Sequence, residues 1–545
     1  MSRWRGNPWA ILITLSLGFF MTLLDLTIVN IAIPNMIDKL DASLDQVLWV
    51  NNSYILVLAV LLITAGRLGD LWGKRNLFIA GVVLFTLASL ACGISQDPTQ
   101  LIAARAVQGL GAALLMPQTM SMIIDTFPAE RRGAALGIWG AVAGVSTIAG
   151  PTIGGLLVTS LDWRWIFFVN LPIGILVLFM AVPILPGNAR SVRHRFDLVG
   201  VLLASASLFC LVFALTEGQK YEWNGWIWGL IGVGAVLLAA FLLHQRTKQA
   251  GEPLVPFALF KDRNFAILNV VGAIVSIGMI GMFLPMTIYL QSVLGFSALK
   301  AGLVMAPSSL MSMFLAPVAG KLSDRIGGKF ILMTGLTLYA ASMLWIIAIA
   351  EAGTSWTAFI APLAVGGLGM GGVFAPMATE ATRNVPRHLA GAASGVNNTV
   401  RQIGSVLGSA AVGAVLQNRL ASSLKDEAAA RAAGLPPDVR PQFVDGFAGA
   451  AKGGLEVGAS QHGAAQHLPP GVPPSVAHHV QEAAAQVFGH GFVSAMKPTM
   501  ALPVLLVFLG AAACLGMKAY RAPSAPVDTP DTPDIADTAG ATAAG

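Results

Sequence analysis

Asp25 and Arg105 are charged residues in stretches of the sequence that are otherwise apolar, and they are the residues best suited to do chemistry. Asp25 lies within the apolar run 10–33, and Arg105 lies within the run 101–124. Placing such a charge at the centre of a membrane helix costs about 2.5–3.5 kcal/mol on insertion scales, so these residues generally face a cavity and have a role. A buried carboxyl group beside a cation can take up and release protons as the pair separates and forms. We predict that Asp25 and Arg105 couple proton movement to a change of conformation.

The depths of the two residues permit them to pair. Asp25 lies roughly 12 Å from the far end of its run at 1.5 Å per residue, and Arg105 lies roughly 6 Å into its own run from the same side. Protonation of Asp25 would then release Arg105. The alternative is a buried ion pair with a purely structural role, although such pairs are weak evidence of stability.

No catalytic constellation accompanies this pair. The sequence contains no nucleophile with an adjacent base and no nucleotide-binding P-loop, so we predict that the protein is not an enzyme and has no cofactor. The histidines show no spacing typical of a metal site, and we predict no bound metal. If the protein moves a solute uphill, it must therefore use an ion gradient, and we predict the proton gradient.

The elements that position Asp25 and Arg105 must be membrane helices. Charged residues make up 11% of the 545 residues and hydrophobic residues 55%, with a mean hydropathy of +0.71. Soluble proteins carry about 25% charged residues, and a soluble chain could not cover its surface with so few. The composition therefore argues against a soluble enzyme, a DNA-binding protein and a disulfide scaffold.

Fourteen apolar runs have the length of about 20 residues that a membrane span needs. They lie at 10–33, 47–66, 77–95, 101–124, 134–158, 166–185, 198–215, 227–243, 265–290, 300–319, 330–350, 357–377, 391–416 and 498–517. The runs at 198–215 and 227–243 are the weakest, so twelve spans is the competing count.

Basic residues predict the orientation of these spans. With the amino terminus inside, the inner segments carry 21 Lys and Arg residues and the short outer loops carry 4. The positive-inside rule then places both termini in the cytoplasm. The net charge of +6 is thus a signal of topology, and we predict no nucleic-acid partner.

Two inner turns repeat one another. The turn after span 2 reads GRLGDLWGKR (66–75), and the turn after span 10 reads GKLSDRIGGK (320–329). At an offset of 254 residues, Gly66 matches Gly320, Asp70 matches Asp324, Gly73 matches Gly327 and Arg75 matches Lys329. An offset of eight spans suggests a six-span unit used twice with two spans inserted between, as in transporters built from repeats. The alternative is that membrane proteins in general have glycine-rich basic inner turns.

We predict that the two turns form a gate at the cytoplasmic face. Their glycines allow a tight turn close to a neighbouring helix. Asp70 and Asp324 can accept hydrogen bonds from a helix amino terminus or pair with an arginine across the molecule. Such contacts would form in one state and break in the other. The predicted gate residues are Gly66, Arg67, Asp70, Gly73, Lys74, Arg75, Gly320, Asp324 and Arg325.

Several motifs resemble those of a known family. The pair of turns resembles the signature loop of the major facilitator superfamily. LDLTIVNIAIP (24–34) is similar to the first-span motif of its fourteen-span drug:proton antiporter branch, the multidrug efflux transporters. RAVQGLGAA (105–113) resembles the fourth-span motif, GPTIGG (150–155) the antiporter motif of span 5, and DWRWIFFVNLPIG (162–174) the outer turn into span 6. The matches follow the family's order up to about residue 410.

The repeat and the resemblance together predict an all-α polytopic membrane protein of the major facilitator type. Two six-helix bundles and two inserted transmembrane helices give 14 spans. We place the N-terminal bundle at 1–186, the inserted spans with their linkers at 187–262, and the C-terminal bundle at 263–520. The last bundle includes a long extracytoplasmic loop at 417–497, and a disordered cytoplasmic tail follows at 521–545.

The resemblance also implies a function. It is that of a proton-coupled antiporter which exports small amphipathic or cationic drugs and toxic compounds across the plasma membrane by alternating access. The positions of Asp25 and Arg105 match motifs associated with proton coupling in that branch. We expect a monomer in the lipid bilayer. A dedicated exporter of one metabolite, antibiotic or lipid is the alternative within this class, and a passive channel or a membrane receptor is the alternative from another class.

Two further groups of residues complete the prediction. Small residues and a proline in span 5 form a candidate hinge, with plain helix packing as the alternative; they are Gly150, Pro151, Gly154 and Gly155. Polar side chains within other spans are candidates to line the substrate cavity, with interhelical hydrogen bonding as the alternative for the last two; they are Asn30, Tyr54, Gln108, Arg401 and Gln402.

Overall fold

The computed structural model describes most of the chain. The described residues are 6–40, 42, 44–128, 131–187, 197–218, 220–249, 253–386, 389–435, 440–441, 443–444, 447 and 474–518. The side chains of a few helical residues, among them Asn30 and Pro151, lie outside the description. The predicted disordered tail 521–545 also lies outside it, as does most of the interior of the predicted loop 417–497.

The described elements are helices. In chain order they are α1 (Pro8–Leu40), α2 (Leu44–Trp72), α3 (Lys74–Ile94), α4 (Pro98–Thr126), α5 (Arg132–Ser160), α6 (Trp165–Phe168), α7 (Asn170–Ile184), α8 (Leu198–Glu217), α9 (Gly225–Thr247), α10 (Ala258–Lys261), α11 (Arg263–Ile288), α12 (Ala298–Ile326), α13 (Lys329–Ile349), α14 (Ile360–Thr382), α15 (Ala390–Ala432) and α16 (Pro474–Ala513).

Several helices begin at a side chain that caps the first turn. Asp97 accepts a hydrogen bond of 2.9 Å from the backbone N–H of Gln100 at the start of α4, where Pro98 occupies the first helical position. Asp262 caps α11 in the same way, at 2.9 Å from the N–H of Phe265. These residues satisfy backbone donors that a helix leaves unpaired at its amino end. The breaks between the apolar runs are therefore built into the local sequence.

Thirteen of the described helices are long and apolar enough to cross a membrane. This confirms the prediction of an all-α, multi-pass membrane protein. The two runs that looked weakest in the sequence, now α8 and α9, are both among the thirteen. The 29-residue α5 is not among them, so the count of 14 spans and the cytoplasmic position of both termini stay predictions.

The helices surround two separate apolar cores. One core is formed by α1–α5 and α7 and contains Phe78, Phe85 and Leu115. The other is formed by α11–α16 and contains Met282 and Leu336. We call the two groups of helices the N-terminal bundle and the C-terminal bundle. The helical pair α8–α9 packs outside them, where Val212 of α8 contacts buried residues of α2 and α15.

The segment 417–497, predicted as a loop, is helical at both ends. Helix α15 continues to Ala432, and α16 already begins at Pro474. Leu416, Leu420 and Leu424 are buried at a spacing of four residues, and they share a core with Val480 and Val487 of α16. That spacing places apolar side chains on one face of a helix. The prediction of a long extracytoplasmic loop did not use this spacing of the leucines.

Candidate functional site

Three helices bring four polar side chains together inside the N-terminal bundle. Asp25 comes from α1, Arg105 and Gln108 from α4, and Asn170 from the start of α7. All four are fully buried. Because buried polar groups need partners, the contacts within this cluster determine whether it can exist in an apolar core.

The Asp25 carboxylate is the acceptor at the centre of the cluster. Arg105 Nη1 donates to Asp25 Oδ2 and forms an ion pair with it. Gln108 Nε2 donates to Asp25 Oδ1 at 2.9 Å, and Asn170 Nδ2 donates to the same oxygen at 3.0 Å. Three donors from two neighbouring helices thus surround the carboxylate.

The Arg105 guanidinium is enclosed by α2 and by the aromatic residues near it. Its Nε donates to the Val50 carbonyl at 3.0 Å, and its Nη1 also donates to Gln108 Oε1 at 2.8 Å. The Cζ atom lies 4.3 Å from the ring centroid of Tyr54 and 5.8 Å from that of Phe167. Within the described part of the chain, Arg105 Nη2 and the Tyr54 hydroxyl have no hydrogen-bond partner.

Helix α3 and one close helix contact hold this cluster in place. Ser89 of α3 accepts a hydrogen bond of 3.1 Å from Asn170 and donates to the Phe167 carbonyl at 2.9 Å. At Gly109, a Cβ atom would lie 2.6 Å from the Tyr54 carbonyl oxygen. Only glycine allows α4 to approach α2 so closely. The glycine therefore sets the distance between α4 and α2, where the Val50 carbonyl accepts the hydrogen bond from Arg105.

The acidic group of this cluster is the Asp25 carboxyl. Neutralising Asp25 would remove the charge that pairs with Arg105, while the amides of Gln108 and Asn170 can hydrogen-bond either form of the acid. Among the described residues, no group of three His, Cys, Asp or Glu side chains is placed to hold a metal ion.

A second set of contacts joins the two bundles at the end that holds the turns 66–75 and 320–329, which we call the turn end. Asp70 accepts a hydrogen bond of 3.1 Å from the backbone N–H of Ala392, in the first turn of α15. Asp324 accepts bonds of 2.8 Å and 3.0 Å from the N–H groups of Gly133 and Ala134, in the first turn of α5. Each aspartate therefore caps a helix of the other bundle.

Glycines allow the same helices to touch. A Cβ atom at Gly66 would lie 2.7 Å from the Gly391 carbonyl oxygen, and one at Gly320 would overlap the Gly133 carbonyl oxygen. Gly73 and Gly327 follow α2 and α12 with positive φ angles of 94° and 85°, which side-chain-bearing residues rarely adopt. The matched glycines are therefore needed for the same reason in both turns: the first pair for close helix contact, and the second pair for its positive φ angle.

The charged residues beside these turns also pair. Lys74 Nζ lies 2.7 Å from Asp125 Oδ2 and 3.7 Å from Asp70 Oδ1, and Arg67 lies 3.9 Å from Asp70. In the C-terminal bundle, Glu380 accepts a hydrogen bond of 2.6 Å from the Gly328 N–H and pairs with Arg383 at 2.8 Å.

Two predicted gate residues lie at the edge of this region. Arg75 donates to the Val182 carbonyl at 2.7 Å, which holds the start of α3 against α7. Arg325 is exposed near the end of α12. The Arg75 contact lies within the N-terminal bundle, whereas the hydrogen bonds of Asp70 and Asp324 join the two bundles.

The structure separates the residues predicted to line one cavity. Tyr54 and Gln108 belong to the Asp25 cluster, whereas Arg401 lies on α15 near Phe374 of α14. Gln402 is half-buried beside Arg401, and the side chain of Asn30 lies outside the described residues.

The predicted hinge residues lie within a continuous helix. Helix α5 runs through Gly150 and Pro151 without interruption. At Gly150 a Cβ atom would overlap the Thr27 hydroxyl of α1, and at Gly155 one would lie 3.9 Å from Leu299 of α12. Gly154 is buried. The close packing of α5 against α1 is therefore observed, and bending during transport stays a prediction.

Sequence reasoning missed two features of the site. Asn170 is a central donor, and its signal was a lone amide in the apolar stretch IFFVNLPIG. The helix starts that receive the two aspartate caps also repeat, as GAALG at 133–137 and GAASG at 391–395. This second repeat has an offset of 258 rather than 254, so a search at one fixed offset does not find it.

Comparison with known proteins extends these observations. A profile of the Major Facilitator Superfamily matches residues 15–409. An uncharacterised MFS-type transporter of Mycobacterium tuberculosis is 43% identical over 78% of this chain and 73% of its own length. The tetracenomycin C resistance and export protein of Streptomyces glaucescens is 36% identical over 78% of each chain.

A solved structure shares the fold. The human organic anion transporter TETRAN superposes with a TM-score of 0.57, covering 92% of this chain and 99% of its own, at 12% sequence identity. At that identity the likeness concerns the arrangement of the helices alone.

Proposed function

We propose, from the premise that the chain belongs to the Major Facilitator Superfamily, that it is a proton-coupled antiporter exporting small amphipathic drugs from the cytoplasm. The observation that carries the proposal is the fully buried Asp25 carboxylate, whose only cationic partner in the described structure is Arg105 on another helix. The relative that exports tetracenomycin C supports export of antibiotic-like compounds. The sequence-based expectation also included cationic compounds.

The proposed cycle has two linked steps. A proton from the outside neutralises Asp25, and the ion pair with Arg105 separates. The cost of leaving the Arg105 guanidinium unpaired in the core then favours a state in which α1 and α4 have moved apart and the proton can leave to the cytoplasm. Substrate would bind from the cytoplasm in that state and leave on return.

The turn end would serve as the cytoplasmic gate in this cycle. The caps from Asp70 to α15 and from Asp324 to α5 hold the bundles together there. Opening toward the cytoplasm would break both caps at once, since each joins the two bundles. The structure would then correspond to the state that is closed to the cytoplasm.

The test is drug export from cells or everted vesicles that contain the full chain. A proton gradient should drive export of a fluorescent amphipathic dye, and a protonophore that collapses the gradient should stop it. Dye movement at an unchanged rate after the protonophore would contradict proton coupling. Export driven instead by a sodium gradient would replace the proton by another ion.

A further inference from the structure

Arg401 is a charged residue deep in the described helices that has no acidic partner. Its Nε is buried and has no hydrogen-bond partner within the described part of the chain, and no carboxylate there lies within 4.0 Å of its guanidinium. By contrast, Arg105 is completely enclosed and is paired with Asp25. An unpaired guanidinium in a membrane span is unfavourable, so its retention at this position needs a reason.

The position of Arg401 is at the surface between the bundles. On α15, Ser394 donates a hydrogen bond of 3.0 Å to the Pro117 carbonyl of α4, in the other bundle. Arg401 follows seven residues later, which is two helical turns along the same face and roughly 10 Å farther from the turn end. Its side chain is half-buried. Arg401 therefore faces the space between the bundles above the closed turn end.

Phe374 of α14 marks the same surface. The Cζ atom of Arg401 lies 5.1 Å from the centroid of the Phe374 ring. Phe374 also meets the N-terminal bundle, because a Cβ atom at Gly140 of α5 would lie 3.5 Å from Phe374 Cβ. At Gly272 of α11, a Cβ atom would lie 3.4 Å from Arg401 Cγ, so the absent side chain leaves room for the stem of Arg401.

The chemistry of this surface favours a flat anion. A guanidinium is planar and weakly hydrated, and its parallel donors match carboxylate and similar groups. The guanidinium without an acidic partner and the adjacent Phe374 ring suit an aromatic body that carries an anionic group.

We propose that Arg401 recognises the anionic group of the substrate, and that the exported compounds are aromatic amphiphiles bearing a carboxylate, phenolate or sulfonate. This inference rests on the proposed transport function and names its substrate class. A cation would find no free acid near Arg401, and Asp25 already accepts hydrogen bonds from Arg105, Gln108 and Asn170. We therefore propose anionic substrates in place of the cationic compounds that the sequence had suggested.

The charge of the substrate changes the electrical balance of exchange. One proton moving inward for one monovalent anion moving outward transfers two positive charges inward. An inside-negative membrane potential then accelerates export. One proton exchanged for one monovalent cation transfers no net charge, so that exchange would not respond to the potential.

The test uses the full chain in proteoliposomes, with carboxyfluorescein as the anionic probe and ethidium as the cationic probe. Arg401→Gln should reduce proton-driven transport of carboxyfluorescein by at least about tenfold, as loss of one charge-assisted hydrogen-bonding group does. Arg401→Lys should restore part of it. Arg419→Gln, at an exposed position on the same helix, is the matched control and should have no effect.

Binding without any gradient separates this inference from the proposed function. Fluorescence polarisation of carboxyfluorescein with the detergent-solubilised protein should show binding to the parent and to Arg419→Gln, and at least about tenfold weaker binding to Arg401→Gln. Equal binding to all three, or preferential ethidium binding to the parent, would overturn the anion assignment. Normal probe binding without proton-driven transport would overturn the proposed function instead. The thermal stability of each variant shows that it is folded.

Discussion

Asp25 in the N-terminal bundle corresponds at the 254-residue offset to Met279 in the C-terminal bundle. Around Asp25 lie an arginine, a glutamine and an asparagine, all fully buried. Met279 instead packs against an apolar core that contains Met282, Met286 and Met343. At the turn end, by contrast, the bundles use the same contacts, with Asp70 capping α15 and Asp324 capping α5. The contacts between the bundles are thus alike on both sides of the turn end, whereas the fully buried Asp25–Arg105 ion pair lies in one bundle only.

This difference has a physical reason. Each bundle supplies one aspartate that caps a helix of the other bundle. The contacts at the turn end are therefore divided equally, and both caps would break if the bundles separated. The buried ion pair has no such need for a counterpart, because a second buried pair would add a further desolvation penalty.

Removing Arg105 should destabilise the protein most. Arg105→Ala leaves Asp25 without its cationic partner, and breaking a buried pair in this way costs about 3–5 kcal/mol. The measurement is thermal unfolding in detergent. Adding Asp25→Asn should recover much of the loss, because the uncompensated charge is then gone. If the double variant were no more stable than Arg105→Ala, the ion pair would not be the source of the effect.

Neutralising Asp25 should uncouple transport while the protein still folds. Asp25→Asn keeps an acceptor for Gln108 and Asn170 but cannot bind the coupling proton, so gradient-driven export should fall by about a hundredfold. Met279→Leu in the C-terminal bundle is the matched control and should retain export. The rate of dye export from loaded vesicles measures both. Full export by Asp25→Asn would remove this residue from the mechanism, and a loss in Met279→Leu would show that the C-terminal interior contributes.

The two caps should contribute equally to closure. Asp70→Ala and Asp324→Ala each remove one cap, with an expected effect of about 1 kcal/mol. Hydrogen exchange should therefore rise about fivefold to tenfold at the Ala392 amide in the first variant and at the Gly133 and Ala134 amides in the second. If the two variants reduced the rate of export by different factors, the two caps would contribute unequally to transport although their contacts are alike.

The helix pair α8–α9 lies outside the repeat. We expect substitution of Asp197, which caps α8, to have only a small effect on stability, and one that depends on acidic pH. Burial acts to raise the pKa of Asp197, but hydrogen bonds from His244, the Gly200 N–H and Gln245 outweigh it and hold the pKa below its usual value. A lowered pKa in the folded state means that the charged form stabilises the fold. This contribution is complete above the unfolded pKa of about 3.9 and is lost as the pH falls through the folded value.

The measurement for Asp197 is the melting temperature of the parent and of Asp197→Asn across pH. The difference between them should shrink as the pH falls below about pH 4. A difference that instead grows below about pH 4 would show that Asp197 is not stabilised as the carboxylate.

The amino-acid sequence by itself determined the membrane class, the helical spans, the repeat and the identity of the buried charges. Each of these depends on local composition or on spacing along the chain. Apolar runs must be helical because lipid offers no partners for backbone polar groups, and a charge within such a run stands out. The helical extensions of α15 and α16 were also encoded locally, in leucines spaced by four, although composition had suggested a loop.

Only the tertiary structure decided which charges are paired. Asp25, Arg105 and Asn170 lie on three helices that are far apart in sequence, and only the packing of these helices brings the side chains together. Arg105 and Arg401 looked alike in the sequence as single arginines within apolar runs. One is neutralised by an acid from another helix, while the other faces the space between the bundles with its charge uncompensated. Pairing depends on distances between helices, which the order of residues along the chain does not contain.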